Sequence, residues 1–179
     1  MCFVIEIRIT IHRSHKMKTL KEEIKKYYNQ LAKEYDHSRF ANSYGQYIHY
    51  QEENTLNKYL NKNQIALNLD IACGTGRFLE YAHYGIDLSE KMVKVAKSKF
   101  PNHKLSVGEA TTLPFQNDFF DNVLSFHLMM HLEKQQLKQI LAEVHRVTKK
   151  EGYFIFDIPS EKRRKLTRYV SPSWHGGNI

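Results

Sequence analysis

The first sixty residues change from a strand-like to a helical pattern of apolar positions. Apolar and polar side chains alternate from 3 to 11, broken only at Val4, which is typical of a half-buried strand. After a polar break at 12–16, Thr19 and Glu22 form a T-x-x-E capping box that predicts the start of a helix. Its apolar residues follow helical spacing, at Leu20, Ile24, Tyr27, Tyr28, Leu31 and Tyr35.

A second helix is predicted over Tyr47 to Leu60, so residues 17–64 are interpreted as one helical segment. Residues 1–16 form an N-terminal extension of doubtful status. Two interpretations of it stay open: an added edge strand, or translation from a misplaced start upstream of Met17.

From 65 to 158 strand and helix patterns alternate along the chain. Strands are predicted at Ile65–Ile71, Tyr84–Asp87, Lys104–Val107, Asn122–Phe126 and Tyr153–Ile158. Helices are predicted at Gly76–Ala82, Ser89–Phe100 and Glu133–Val147. Such alternation predicts an α/β fold with parallel βαβ units in a doubly wound sheet. The remaining residues, 159–179, carry a basic cluster from Lys162 to Arg168 and show no clear closing strand.

Composition narrows the class of protein. A chain of 179 residues fits one globular domain, and no apolar run approaches the roughly 18 residues of a membrane span. The net charge of +8 comes with many dispersed lysines, which favours a solvated basic surface over a dedicated nucleic-acid face. Two cysteines, Cys2 and Cys73, provide neither a disulfide framework nor a metal site, so we expect a cytoplasmic protein without a bound metal.

The stretch NLDIACGTGRF, residues 68–78, holds the strongest chemical signal. Gly74 and Gly76 allow a sharp turn and a close approach of the backbone to a ligand. A dinucleotide loop needs a third glycine three positions later, where this chain has Leu79. Asp70 ends the strand instead, and a carboxylate there repels a pyrophosphate but attracts a cation. The pattern therefore favours S-adenosylmethionine, which carries a sulfonium and an ammonium group, over a dinucleotide.

Two further acids end the next two predicted strands. Asp87 follows the second strand, where an acid binds ribose hydroxyls. Glu109 follows the third and is suited to accept a hydrogen bond from an adenine amino group. Because the carboxyl ends of parallel strands share one edge of a sheet, we expect all three acids near one ligand.

Four ordered segments, LDIACGTG, GIDLSEKM, GEATTLPFQNDFFDNV and KKEGYFIFD, resemble those of class I S-adenosylmethionine-dependent methyltransferases. The resemblance is strongest to the small-molecule branch related to ubiquinone and menaquinone biosynthesis, and it covers about Ile24 to Ile158. It implies a Rossmann-like sheet with helices on both faces over 65–158 and an N-terminal helical lid over 17–64. In that family a C-terminal hairpin closes the sheet. The 20 or so residues after Ile158 leave the hairpin missing or truncated, so 159–179 are expected to begin a truncated acceptor region.

The resemblance also implies roles for single residues. Asp70 would lie at the entrance of the loop, Asp87 would hold the ribose, and Tyr35 or Tyr28 would reach the methionine carboxylate. The remaining cofactor-binding positions would be Ala72, Cys73, Gly74 and Gly76 along the methionine moiety, Leu88, Glu109 and Ala110 around the adenine, and Phe126 beside the cofactor. One departure from the family is the short interval from Asp70 to Asp87, which leaves room for a crossover helix of roughly two turns.

Methyl transfer needs a base only when the acceptor must lose a proton. His127 and His131, after the fourth strand, are the candidates for that base, although either is equally suited to capping or packing the next helix. The Asn/Asp-Pro-Pro-aromatic signature of nucleobase and glutamine N-methyltransferases is absent, as are the nucleophilic cysteine of cytosine enzymes and the acid cluster of metal-dependent enzymes.

We therefore expect a small-molecule acceptor, with a nucleic acid as the less favoured partner because of the basic tail. A catalytically silent S-adenosylmethionine-binding homologue or partner subunit is the alternative function, and a nucleotide-dependent oxidoreductase is the least favoured. An open sheet edge would also suit a homodimer.

Overall fold

The computed structural model describes residues 20–60 and 66–158. The predictions for the strand pattern at 3–11, the cap at Thr19, the basic tail and the C-terminal hairpin lie outside these residues. Within them, no helix has the length and apolar character needed to span a membrane.

Five parallel strands form a single sheet in the order β3-β2-β1-β4-β5. The strands are β1 (Asn68–Ile71), β2 (Tyr84–Asp87), β3 (Lys104–Val107), β4 (Phe120–Ser125) and β5 (Thr148–Phe156). The predicted α/β doubly wound sheet is confirmed. The strand order reverses between β1 and β4, and ligands of such sheets bind at this point, beyond the carboxyl ends of the strands.

Two regular helices follow strands, as predicted. Helix α4 (Glu90–Lys99) begins after Ser89, whose side-chain oxygen accepts a hydrogen bond from the Met92 amide at 3.1 Å. Helix α5 (Lys134–Val147) begins after Glu133, whose amide donates to the Gln136 side chain at 3.0 Å.

The predicted helix over Gly76–Ala82 is wrong. The chain makes a series of turns there, with hydrogen bonds from the Leu79 amide to the Gly76 carbonyl and from the Tyr81 amide to the Phe78 carbonyl. Gly76 has a φ of +92°, which no α-helical residue adopts, and the short interval between β1 and β2 leaves few residues in which to recover a helix. The first crossover is therefore a compact turn region.

Three helices precede the sheet: α1 (residues 20–31), α2 (Tyr35–Phe40) and α3 (Ser43–Tyr59). Tyr35 begins α2 and does not continue α1. Helix α3 starts four residues earlier than predicted, because the Asn42 side chain accepts a hydrogen bond from the Gly45 amide at 2.8 Å and caps it.

The core lies on both faces of the sheet. Adjacent residues of a strand point to opposite faces, and the neighbours Val123 and Leu124 of β4 show what covers each one. Val123 packs in a cluster with Ile140 and Val144 of α5, whereas Leu124 packs in a cluster with Leu56 of α3. Helices thus cover both faces, and the N-terminal helices reach the site described next.

Candidate functional site

A carboxylate at the end of β2 anchors the loop after β1. Ala72, Gly74 and Gly76 have φ angles of +60°, +54° and +92°. The Gly74 amide donates to Asp87 Oδ2 at 2.9 Å, and the Ser89 amide donates to Asp87 Oδ1 at 2.8 Å. Asp87 therefore joins the loop to the start of α4, and both strand ends open on the same space.

Two adjoining cavities occupy this space. The strand-end cavity, about 730 Å³, lies between α1 and the ends of β1, β2 and β3, and it includes Asp87, Leu88, Glu109 and Ala110. The loop cavity, about 560 Å³, lies beside the glycine loop. Both volumes include space that is open to solvent. The two cavities share Ile24, Ala72, Asp87, Leu88, Leu128 and His131.

Most of the sequence-predicted residues line these cavities. Glu109 and Ala110 line the strand-end cavity, Ala72, Asp87, Leu88 and His131 line both, and Gly74, Tyr35, Phe126 and His127 line the loop cavity. A Cβ placed on Gly74 would meet nothing within 4 Å, so its backbone faces open space.

Three predicted residues lie behind the loop and do not line either cavity. Cys73 is buried in a cluster with Leu79 and Leu105. A Cβ on Gly76 would meet the side chains of Leu79 and Phe100 at 2.9–3.0 Å, so packing requires this glycine. Asp70 is 3% exposed, and its carboxylate forms no hydrogen bond with the described residues.

The two strand-end aspartates carry perturbed pKa values. Burial raises the pKa of Asp70 well above its usual value; Arg77 opposes the shift and Asp87 adds to it. Burial also raises the pKa of Asp87, although the Ser89 and Gly74 amides oppose the shift. A ligand with positive charge would stabilise both carboxylates, and this is an arrangement suited to a cation.

Helix α1 forms the outer wall of the site. Lys21 pairs with Glu109 across the strand-end cavity. The Asn29 side chain accepts hydrogen bonds from Ser89 Oγ at 2.7 Å and from the Lys91 amide at 3.2 Å. Sequence reasoning did not identify these contacts, since they join residues about 60 positions or more apart.

Tyr28 of α1 also contacts one of the two candidate histidines. Its hydroxyl and His131 Nε2 share a hydrogen bond of 2.9 Å. Burial, reinforced by Tyr35, raises the pKa of Tyr28, so the phenol stays protonated. One nitrogen of His131 is therefore engaged by α1.

His127, the other candidate, is held by an acid that sequence reasoning missed. Its Nε2 donates to Oε1 of Glu52, in α3, at 2.8 Å, while Arg77 Nη1 donates to Oε2 of the same carboxylate at 2.5 Å. The Glu52 side chain is only 11% exposed. A signal was present, because Ile48, Glu52 and Leu56 share one face of α3 at a spacing of four, which places a charge between two apolar positions.

The same residues form a group that could hold a metal ion. Ligand atoms of Glu52, His127 and Asp157 lie within 4.8 Å of one another, which is the one such group among residues 20–60 and 66–158. Sequence analysis did not predict this cluster. Arg77 already neutralises Glu52, and the His127 amide donates to Asp157 Oδ1 at 2.5 Å, so hydrogen bonds satisfy the group without a cation.

A third cavity, the helical cavity, adjoins the loop cavity. It measures about 730 Å³ and lies among α1, α2, α3 and the segment after β4. Tyr28, Tyr35 and His127 line both this cavity and the loop cavity. The site thus consists of three adjoining spaces, and His127 lines the last two.

Comparison with known proteins shows what the sheet region is similar to. Residues 69–156 match the model of a methyltransferase domain. The chain is 39% identical over 137 residues to the protein MJ1252 of Methanocaldococcus jannaschii, an alignment covering 75% of this chain and 51% of that protein. It is 31% identical over 162 residues to the ubiquinone/menaquinone biosynthesis C-methyltransferase of Campylobacter jejuni, covering 80% of this chain and 66% of that enzyme.

A solved structure agrees at the level of the fold. Phosphoethanolamine N-methyltransferase 1 of Haemonchus contortus, in complex with phosphoethanolamine and S-adenosylhomocysteine, superposes with a TM-score of 0.69 at 19% identity, over 82% of this chain and 34% of that one. The chain spans about half of the first curated relative and just under two thirds of the second.

Proposed function

Residues 69–156 belong to the methyltransferase domain family, and on that premise we propose that this chain binds S-adenosylmethionine and transfers its methyl group to a small-molecule acceptor. The observation that carries the proposal is the loop cavity, which meets the strand-end cavity on one side and the helical cavity on the other. A donor site joined to a separate acceptor site is what a group-transfer reaction requires.

In this proposal the strand-end cavity takes the adenosine part of the donor. Asp87 accepts hydrogen bonds from the ribose, Leu88 packs on the adenine, and Glu109 and Ala110 contact its edge. For Glu109 to do so, Lys21 must share the carboxylate or leave it, because the two are paired.

The loop cavity takes the methionine part. Ala72 and Gly74 offer a close backbone approach, while Tyr35 and Phe126 contribute to the rest of the lining. Asp70, Cys73 and Gly76 act from behind: Cys73 and Gly76 by packing the loop, and Asp70 by its negative charge. The raised pKa values of Asp70 and Asp87 support this part of the proposal, because a cationic ligand stabilises both carboxylates.

His127 is the base in this proposal, and Glu52 positions it. Bound S-adenosylmethionine would supply an activated methyl group on its sulfonium; as the acceptor atom bonded to the methyl carbon, the carbon–sulfur bond would break and its electron pair would stay on sulfur. Glu52 holds Nε2–H of His127, which leaves Nδ1 to receive the acceptor proton. His131 is less suited, because Tyr28 engages its Nε2 and its Nδ1 is buried.

Isothermal titration calorimetry with S-adenosylmethionine, S-adenosylhomocysteine and NADH tests the donor site. We expect micromolar binding of the first two, no binding of NADH, and loss of binding in Asp87→Ala. The matched control is Asp118→Asn, an exposed acid away from the cavities whose positive φ an asparagine tolerates. Tight NADH binding, or unchanged affinity in Asp87→Ala, would overturn the proposal.

The alternative function is a catalytically silent homologue or partner subunit. Turnover separates the two: S-adenosylhomocysteine released with any acceptor supports the enzyme, and binding without release across an acceptor panel supports the silent homologue. The domain limits 17–64 and 65–158 and a cytoplasmic location remain proposals alongside this one.

A further inference from the structure

We propose that the helical cavity receives an aromatic acceptor carrying a carboxylate, which binds Arg39 while a ring hydroxyl faces His127. This inference rests on the proposed methyl transfer and names the acceptor class for the same site. Three independent features of the cavity carry it: its aromatic walls, its charge, and the position of its proton acceptor.

Aromatic side chains form a continuous wall of the cavity. The ring centroids of Tyr28 and Tyr35 lie 6.0 Å apart, those of Tyr35 and Phe40 5.9 Å, and those of Phe40 and His127 6.2 Å, each pair in an edge-to-face arrangement. Tyr44, Ile48 and Met130 complete the apolar lining. Such walls favour a flat ring, because aromatic pairs gain attraction beyond the area that they bury.

The charge of the cavity has one sign. Arg39 lines it, and none of its described lining residues is an aspartate or glutamate. Arg39 Nη2 donates to the Tyr27 hydroxyl at 2.6 Å, and within the described chain its guanidinium pairs with no carboxylate. By contrast, Arg77 pairs with Glu52. A guanidinium has five N–H donors in a planar fork that matches a carboxylate, so Arg39 keeps donors for an anionic ligand.

The positive charge of Arg39 also disfavours a cationic acceptor. An ammonium group in this cavity would lie near Arg39 with no acidic lining residue to offset the repulsion. The aromatic wall alone would suit a cation as well as a neutral ring, so Arg39 makes the difference. An amine acceptor is therefore disfavoured.

The position of His127 indicates which group of the acceptor is methylated. This residue lies at the boundary with the loop cavity, and Glu52 occupies its Nε2. A base at that boundary serves an acceptor that loses a proton on methylation, as a phenolic hydroxyl does. An aromatic ring could place its carboxylate against the Arg39 guanidinium and its hydroxyl toward His127 at the same time.

Calorimetry with S-adenosylhomocysteine bound tests the inference with three probes that share a 4-hydroxyphenyl ring: 4-hydroxybenzoate, 4-hydroxybenzamide and 4-hydroxybenzylamine. Their second substituent is anionic, neutral and cationic, respectively. We expect the benzoate to bind at least about tenfold more tightly than the amide, since a hydrogen bond to a charged group contributes about that factor. The amine should bind most weakly.

Two variants assign the preference to Arg39. Arg39→Gln should make the benzoate and the amide bind equally, and Arg39→Lys should restore part of the preference. Lys138→Gln, which removes an exposed charge on α5, should change neither. S-adenosylhomocysteine should bind all of these proteins with unchanged affinity.

The outcomes separate this inference from the function on which it rests. If S-adenosylhomocysteine does not bind the unaltered protein, the proposed function fails and the inference fails with it. If it binds and no probe does, or if the amide or amine equals the benzoate, the acceptor class is wrong while the donor site stands. A benzoate preference that persists in Arg39→Gln would contradict the role of Arg39.

Discussion

Glu52 is the residue whose role depends most on three-dimensional contacts. It lies in α3, yet it joins Arg77 from the turn region after β1 to His127 from the segment after β4. Burial by itself would raise the pKa of Glu52, but the hydrogen bond from His127 and the charge of Arg77 outweigh it, so the pKa is lowered. The carboxylate is thus stabilised in the folded protein.

Glu52→Gln should destabilise the protein by about 3 kcal/mol, because it leaves Arg77 without its buried partner. The lowered pKa of Glu52 means that this stabilisation is present above the ordinary value of 4.5 and is lost as pH falls through the folded-state pKa. Urea unfolding from pH 7 to pH 3 measures it, and the gap between the two proteins should close in acid.

The control for this prediction is Glu90→Gln. Glu90 pairs with Lys25 at 3.2 Å, but its side chain is 59% exposed, and such pairs contribute at most about 1 kcal/mol. An equal loss in both variants would mean that the buried pair has no special role.

The two loop glycines should respond differently to alanine. Gly76→Ala adds a Cβ against Leu79 and Phe100 at a φ of +92°, which should lower the unfolding free energy by about 1–3 kcal/mol. Gly74→Ala meets no neighbour, so its stability loss should be smaller, while its Cβ enters the loop cavity. Calorimetry should therefore find weaker S-adenosylhomocysteine binding in Gly74→Ala. Equal effects of both variants on stability and on affinity would contradict the geometry.

At the scale of elements, the sequence predicted the helices and strands whose positions depend on local patterns. Ser89 and Glu133 marked the starts of α4 and α5, and the apolar runs marked β2 and β3, because caps and periodicity act within a few residues. The turn region after β1 was mispredicted, since its conformation depends on packing of Gly76 against Phe100, 24 positions away. The partner of His127 could not be predicted either, because Glu52 approaches it from a helix 75 positions away.

Helix α1 should be anchored by Asn29. Asn29→Ala removes the contacts with Ser89 Oγ and the Lys91 amide, each of the kind that contributes about 1 kcal/mol. Loosening this wall should weaken S-adenosylhomocysteine binding about three- to tenfold by calorimetry. Gln30→Ala, an exposed change on the same helix, is the control, and equal affinities of the two variants would show that α1 does not contribute to the site.

For the whole molecule, ligand binding raises the free energy of unfolding, because the ligand binds the folded state and not the unfolded chain. At a concentration of 100 times its dissociation constant, S-adenosylhomocysteine should stabilise the fold by about 2.7 kcal/mol. For a chain of 179 residues this corresponds to a rise in Tm of about 5–10 °C. Differential scanning calorimetry should show the rise in the unaltered protein and not in Asp87→Ala; a rise in both would place the ligand elsewhere.

The walls of the helical cavity come almost wholly from one part of the chain. All of its lining residues except His127 and Met130 lie between Tyr28 and Ile48, ahead of the matched domain at 69–156. In the proposed reaction, donor binding and acceptor choice are therefore encoded in successive stretches of the gene. Mutation or recombination in the first stretch could change the compound that is methylated while leaving the donor machinery intact. A lineage with this architecture would diversify its chemistry by exchanging its leading helices.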